Sequence, residues 1–465
     1  MNARELVWDL LTDVNERGAL SHEAYAEAMA KADPEGAERA LVTRLFNGTL
    51  ERQSTIDAVI ERQTGRPVSK LKPKIRNLLR MSVYQMLFLQ RVPAAAACNE
   101  AVSLAKKHGL AGLSGFVNGT LRGLDRAITG AGGQQEFLQA MAEPMEETER
   151  LCFLYSVPEW IVSLVRKDFP KADAERIFQA FLSESGVNVR VNKSRGTIGE
   201  LRAMLEAEGA EPQPGVLDNC LRIVGSGNPA SYAAYREGRF SIQDVSAVLA
   251  GNLLPLRAGM KVLDLCAAPG GKTVHAVDEL AALAVADASA PAFEVESRDI
   301  SEGKLALIRE QLTRVGLTSV HVSAADASVY DPSMEEWADV VIADVPCSGL
   351  GVIGRKPDIK YKTKPGDIAA LAEIQREIAR QAVRYVKPGG YLAYSTCTVA
   401  RSENEDTAMF IESLGMIPVS LAEQLPEALR ESCGRQGGLD GIGVQIFPEP
   451  ERWDGFYIAG FRKPE

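Results

Sequence analysis

The sequence predicts a doubly wound α/β domain over residues 236–465, preceded by an all-α domain over 1–130 and a small α+β domain over 150–235. Three patterns carry that expectation. Apolar residues recur at three- and four-residue spacing through the first 130 positions. From about residue 240, short runs rich in Val, Ile, Ala and Leu alternate with amphipathic stretches, and between the two regions brief strand-like segments flank one helical period. A chain of 465 residues, 46% hydrophobic and 25% charged, is long enough for about three cores of ordinary size.

The first domain reads as helices throughout. Val7, Leu10, Leu11 and Val14 recur at helical spacing, as do Leu41, Leu45 and Leu50, then Leu78, Leu79, Val83, Met86 and Leu87; Pro73 and Pro93 mark helix starts or breaks. Ala131-Gly132-Gly133-Gln134-Gln135, followed by the acidic run Glu143–Glu147, predicts a linker. Beyond it, Pro158-Glu159-Trp160 opens a helix, Val187–Asn192 and Asn219–Val224 read as strands, and a helix is expected near 197–208. Arg190 and Asn192 either touch RNA or form the polar face of an ordinary strand.

In the last domain the expected strands are Lys261–Ala267, Ala292–Ile300, Ser319–Asp326, Ala338–Cys347 and Gly389–Thr398, with helices at 272–284, 302–315 and 368–387. Val444–Phe447 and Phe456–Phe461 read as an antiparallel tail. In such a sheet ligands bind at the carboxyl ends of the strands.

No run of about 18 apolar residues is present. The start, Met1-Asn2-Ala3-Arg4-Glu5-Leu6, lacks the basic and apolar regions of a leader, so a cytoplasmic protein away from membranes is expected. Seven cysteines without a C-x-x-C pair, and four scattered histidines, argue for free thiols and no metal site. A monomer is expected. Net charge is −10, yet residues 1–130 carry 18 Lys and Arg against 14 acids. Arg62, Arg66, Lys70, Lys72, Lys74, Arg76 and Arg80 fall in one acid-free stretch, and a second cluster contains Lys360, Lys362 and Lys364. Each cluster is either a solvated face or a phosphate-contacting surface.

Chemistry concentrates in three motifs. Asp264-Leu265-Cys266-Ala267-Ala268-Pro269-Gly270-Gly271-Lys272-Thr273 joins a strand to a helix, but a phosphate-binding loop requires glycine where Cys266 stands, and G-x-G-x-x-G is absent. What remains is a tight turn that brings backbone close to a small ligand at a helix N-terminus. Asp299 ends the next strand, suited to a ribose hydroxyl pair, and Asp326 ends the third, suited to an adenine amine. A nucleoside without a polyphosphate fits, which suits S-adenosylmethionine; Asp264 either orients the turn or meets the methionine ammonium. Asp344-Val345-Pro346-Cys347 and Ser395-Thr396-Cys397-Thr398 then place one thiol each after neighbouring apolar runs.

With Phe240–Ala247, Asp264–Thr273, Asp344–Gly349, Ser395–Thr398 and Glu403-Asn404-Glu405, the chain resembles the Sun-type family of RNA cytosine-5 methyltransferases across essentially all of 150–465. The segments Glu38–Val42, Arg76–Met81, Glu100–Ala105 and Gly115–Gly119 resemble the NusB-type RNA-binding helical domain. The resemblance implies a Rossmann-like class I methyltransferase domain acting on small-subunit (16S) ribosomal RNA, with S-adenosylmethionine held by Cys266, Ala267, Ala268, Pro269, Gly270, Gly271, Lys272, Asp299, Asp326 and Asp344, and with Cys397 as nucleophile.

Carbon 5 of cytosine attacks a methyl sulfonium only after a thiolate has added to carbon 6. The positive end of a helix expected near Arg401–Glu403 favours that thiolate. Asp344 is suited to the cytosine N3 and N4 edge, Cys347 to removal of the carbon 5 proton, and Lys360, Lys362 and Lys364 to flanking phosphates. Val345 stands where the family prefers alanine, and its two extra methyls are expected to tighten the base pocket. Spacing alone leaves Cys347 and Cys397 equal candidates for nucleophile. A transfer RNA or another ribosomal cytosine as target, and a non-catalytic assembly factor with a degenerate fold, are the alternative readings; the intact cysteines and Asp344 oppose the last.

Overall fold

The computed structural model describes residues 2–183, 186–224, 228–287, 289–430, 432–433 and 441–465. It contains two units: Met1–Lys167 with Ile353–Lys362, and Asp168–Val352 with Thr363–Glu465.

The first unit is all helical outside its turns, with Pro73–Phe88 at its centre. Proline occupies the first turn of that helix, where a missing N–H breaks no helical bond. From Ile75 to Leu87 every residue except Arg76 is buried, so the helix needs neighbours on all sides. Ala3–Glu16, Gly36–Glu51, Gln53–Thr64, Ala94–Lys107 and Ser114–Ala131 supply them. Gly48 permits one of these approaches, because a Cβ there would lie 2.0 Å from the Tyr84 hydroxyl.

The expected linker is instead structured. Gly132 and Gly133 adopt positive φ and end the preceding helix, but Gln134–Ala142 starts another, whose Phe137 and Met141 join the same core. Phe137, Leu138, Met141 and Ala142 give the segment an apolar face, and burial outweighs its polar start.

The segment Ile353–Lys362 also belongs to this unit. The Asp358 carboxylate accepts from the Ser21 N–H at 3.1 Å and the Ser21 hydroxyl at 2.5 Å, and Lys360 Nζ donates to the Glu51 carbonyl at 2.7 Å.

The second unit holds two sheets. Strands β1 (Val187–Val191), β2 (Glu211–Pro214), β3 (Cys220–Val224) and β4 (Phe240–Ile242) form an antiparallel sheet in the order β2-β3-β1-β4. The helix Ile198–Ala207, opened by a Thr197/Glu200 capping box, packs on it through Leu201 and Leu205.

The larger sheet comprises β5 (Lys261–Asp264), β6 (Glu294–Asp299), β7 (His321–Ala324), β8 (Ala338–Asp344), β9 (Val386–Thr396), β10 (Ile417–Val419), β11 (Val444–Ile446) and β12 (Phe456–Arg462). Its order is β10-β12-β9-β8-β5-β6-β7, with β11 paired to β12. Neighbours among β5 to β9 run parallel, and β12 is antiparallel to β9. Val262, Leu263, Val340, Val341, Ile342 and Leu392 are at most 1% exposed, as strands covered on both faces require. The expected β5 and β8 run past the observed ends because Leu265, Ala267 and Val345 are apolar and buried without being paired as strand. The strand order reverses between β5 and β8, which makes their carboxyl ends the place for a ligand crevice.

Candidate active site

Register builds the cysteine pair. β8 and β9 are parallel neighbours with Asp344 opposite Ser395, so the chain emerging from both strands carries Cys347 and Cys397 to the same place. Their sulfurs lie 3.3 Å apart, and both side chains are partly exposed. The Cys397 hydrogen bond, burial and the Glu403 carboxylate raise the Cys347 thiol well above its ordinary value.

Asp344 joins this pair to the Gly-rich turn. Its carboxylate accepts from Lys272 Nζ at 2.5 Å and from the Ser395 hydroxyl at 2.7 Å. Lys272 in turn lies over the Phe456 ring, 4.8 Å from its centroid.

The turn itself follows β5. The Ala268–Pro269 peptide is cis, and Gly270 has φ +108° as cap of the helix Gly271–Ala286. A side chain at Gly270 would be strained in that conformation and would bring a Cβ within 3.2 Å of the Ile308 backbone. Cys266 and Ala267 run beneath it, Cys266 partly exposed with its thiol pushed up by burial. Asp299 receives the Ala268 N–H at 3.1 Å and the Ser301 N–H at 3.0 Å. Asp326 is exposed in the turn after β7 and accepts from Ser328.

Asp264 is fully buried; Thr273 donates to one oxygen at 2.7 Å, and the other has no partner. Burial pushes its carboxyl up to about 7. Gln243, 9% exposed, also carries an unpartnered Oε1, and its amide nitrogen lies 3.8 Å from where a Gly271 Cβ would sit. Two buried acceptors without donors, beside a turn whose backbone is bare of side chains, are what a small ligand bearing N–H or ammonium groups would satisfy.

Behind the cysteines runs a buried polar brace. Glu403 accepts from the Ser348 N–H at 2.8 Å, the Ser348 hydroxyl at 2.5 Å and Gln375 Nε2 at 3.0 Å. Gln375 also donates to the Pro346 carbonyl at 2.9 Å, and the Ser348 and Thr398 hydroxyls lie 2.8 Å apart. Sequence reading gave these residues no role. Glu403 could have been sought in the Glu403-Asn404-Glu405 run, whereas Gln375, in the helix Pro365–Tyr385, carries no local signal.

Several expectations are corrected. The helix after Cys397 begins at Glu405, with 401–404 in a turn, because the Asn404 side chain bonds back to the Thr398 carbonyl. Val345 is 4% exposed and packs in the core with Leu265 and Tyr394. Lys360 is 1% exposed, and Lys362 donates to the Ala19 carbonyl and pairs with Asp358, so neither is free for phosphate; Lys364 alone of the three is exposed. Arg190 and Asn192 are fully buried, with Arg190 paired to Asp278 at 2.8 Å, which rules out RNA contact.

This strand order, with an antiparallel β12 and a Gly-rich turn after β5, defines a class I methyltransferase domain beside a small α+β sheet, in a chain that begins with a helical unit. Family profiles described as 16S rRNA methyltransferase RsmB/F, NusB family and RsmF/B-like ferredoxin-like domain match residues 252–462, 1–126 and 157–228. The probable ribosomal RNA small subunit methyltransferase B of Bacillus subtilis is 35% identical, over 99% of both chains, and ribosomal RNA small subunit methyltransferase B of Vibrio cholerae is 31% identical over 100% of this chain and 98% of its own. The chain belongs to the ribosomal RNA small subunit methyltransferase B family. Among solved structures, PH0851 shares the fold with TM-score 0.78 at 24% identity, covering 100% of this chain and 99% of its own. NSun6 from Pyrococcus horikoshii, solved with SFG, has TM-score 0.57 at 20% identity, over 67% of this chain and 100% of its own. No described helix is long and apolar enough to cross a membrane, and no metal-binding cluster occurs among the described residues.

Proposed function

We propose that the chain methylates carbon 5 of a cytosine in 16S ribosomal RNA, using S-adenosylmethionine and a transient bond between Cys397 and carbon 6. The observation that carries this reading is the pair of sulfurs 3.3 Å apart at the ends of β8 and β9, in a site whose Asp344 bonds Lys272 of the Gly-rich turn. S-adenosylmethionine supplies an electrophilic methyl group. Asp264, the Cys266–Lys272 turn, Asp299, Asp326 and Asp344 would hold it, and the unpartnered oxygens of Asp264 and Gln243 support that assignment.

The protein's own part is to make the ring nucleophilic and then release it. Cys397 adds as thiolate to carbon 6. Asp344, one-third exposed and already oriented by Lys272 and Ser395, accepts from the N4 amino group of the base and shares a proton with N3, which offsets the negative charge that thiolate addition puts on the ring. Cys347, in contact with Cys397, gives up its proton to solvent once the Cys397 sulfur is bound in the adduct and then accepts the carbon 5 proton, so that the carbon–sulfur bond breaks and Cys397 leaves as thiolate. The named relatives support ribosomal RNA as substrate, and we assign residues 1–130 and 150–235 to binding it.

With 16S RNA containing 5-fluorocytosine, Cys397→Ala should abolish the covalent complex on a denaturing gel. Cys347→Ala should retain or accumulate it. The reverse pattern moves the attacking sulfur to Cys347; no complex with either cysteine intact rejects the adduct. Bisulfite sequencing of 16S RNA from a strain lacking the protein should show one lost mark.

A further inference from the structure

On the reading just given, two chemically alike thiols must start the reaction in different states, one ionised for attack and one still protonated. At 3.3 Å a negative charge on one sulfur opposes a second, so the two do not ionise together, and their surroundings decide which sulfur ionises first.

Those surroundings are lopsided. Glu403 is fully buried and bonds both the N–H and the hydroxyl of Ser348, the residue directly after Cys347. Gln375 ties the same carboxylate to the Pro346 carbonyl, directly before Cys347. The Cys347 loop is therefore clamped on both sides by one network centred on a carboxylate, whereas on the Cys397 side the Thr398 hydroxyl bonds into it and the residue before Cys397 does not.

The groups facing this cluster are few. Cys347 meets Cys397, Glu403, the Gly349 N–H and the Tyr394 phenol. Glu403 meets Ser348, Thr398 and Gln375, and the Tyr394 hydroxyl donates to the Glu403 carbonyl. No Lys or Arg pairs with Glu403 among the described residues, so its charge acts on the thiols without a cation to cancel it. Burial raises the Glu403 carboxyl, and the hydrogen bonds it accepts favour the ionised form.

We propose that Glu403 is a positioning residue whose buried carboxylate keeps Cys347 in the thiol form, so that the single thiolate of the pair resides on Cys397. The division of labour between two identical side chains then follows from one charge placed on one side of them.

The test is site-resolved alkylation of the full-length protein by iodoacetamide at mildly alkaline pH, without RNA or cofactor, read by mass spectrometry of the two cysteine peptides. Wild type should label Cys397 well ahead of Cys347. Glu403→Gln keeps the shape and removes the charge, and should cut the Cys397 to Cys347 labelling ratio roughly tenfold, equivalent to about one pH unit on Cys347. Ser348→Ala removes a hydroxyl and keeps the carboxylate, and should leave the ratio within about twofold of wild type. An unchanged ratio in folded Glu403→Gln, or an equal drop in Ser348→Ala, overturns the proposal. Because the labelling needs no methyl transfer, its outcome is independent of whether a cytosine adduct is trapped.

Discussion

Asp264 sits at the end of β5 with one oxygen bonded to Thr273 and the other to nothing, and burial pushes its carboxyl up to about 7. The folded protein therefore keeps this proton at pH values where the unfolded chain, with a carboxyl near its ordinary value of about 4, has lost it. A raised acid contributes stability that is intact below the unfolded value, falls as pH rises through the interval, and levels off above the folded value. Compared with Asp264→Asn, which has no proton to lose, wild type should lose stability by an amount on the order of 4 kcal/mol between about pH 4 and about pH 7, with no further change above. Urea unfolding of both proteins without cofactor, at several pH values, measures the difference. The same substitution should weaken S-adenosylmethionine binding in calorimetry, since the unpartnered oxygen is assigned to it.

Among elements, β1 shows how a strand's pattern can be clear while its purpose is not. The alternation of Val187, Val189 and Val191 is visible in the chain, and so is the polar set Asn188 and Arg190. Asn188 donates to the Arg452 carbonyl at 3.1 Å, and what covers Arg190 is the helix Gly271–Ala286, which presents Asp278 to Arg190 at 2.8 Å and to the Lys193 and Ser194 N–H groups at 2.9 Å. The face resembling an RNA surface is a buried ionic joint between the small sheet and the methyltransferase domain. Arg190→Ala should destabilise the second unit by about 3–5 kcal/mol, because it strands a buried carboxylate, and Arg190→Ala/Asp278→Ala should recover part of that loss. Denaturant midpoints check both. RNA affinity of the single variant, measured where it is folded, should match wild type.

For the whole molecule, the question is where a chain of net charge −10 meets a polyanion. The two basic clusters separate on this point. Arg76 and Arg80 are paired with Glu16 and Asp57, whereas Arg62, Arg66, Lys70, Lys72 and Lys74 are exposed. The cluster at Lys360 and Lys362 is spent on hydrogen bonds inside the helical unit. If the exposed stretch meets phosphates, Lys70→Gln and Lys72→Gln should each lower the slope of log affinity against log salt by roughly one. Filter binding of 16S RNA across a salt series measures it, and unchanged slopes would remove this stretch from the interface.

Local physics made much of the protein legible in the chain alone. Helical periodicity marked the first domain, buried parallel strands read as apolar runs, and Gly270, Cys347, Cys397, Asp264, Asp299 and Asp344 fell at strand ends because strand-to-helix turns have their own residue chemistry. What depends on a partner distant in sequence was hidden. Whether Arg190 or Lys360 faces water is decided by Asp278 and by the Glu51 carbonyl, and whether Gln134 begins a linker or a helix by a core that Phe137 and Met141 can enter. The brace of Glu403, Gln375 and Ser348 belongs to the same class. A charge or an amide looks alike in any surface helix or loop, and only the packed fold, by removing water from around it, turns it into an interaction that must be satisfied.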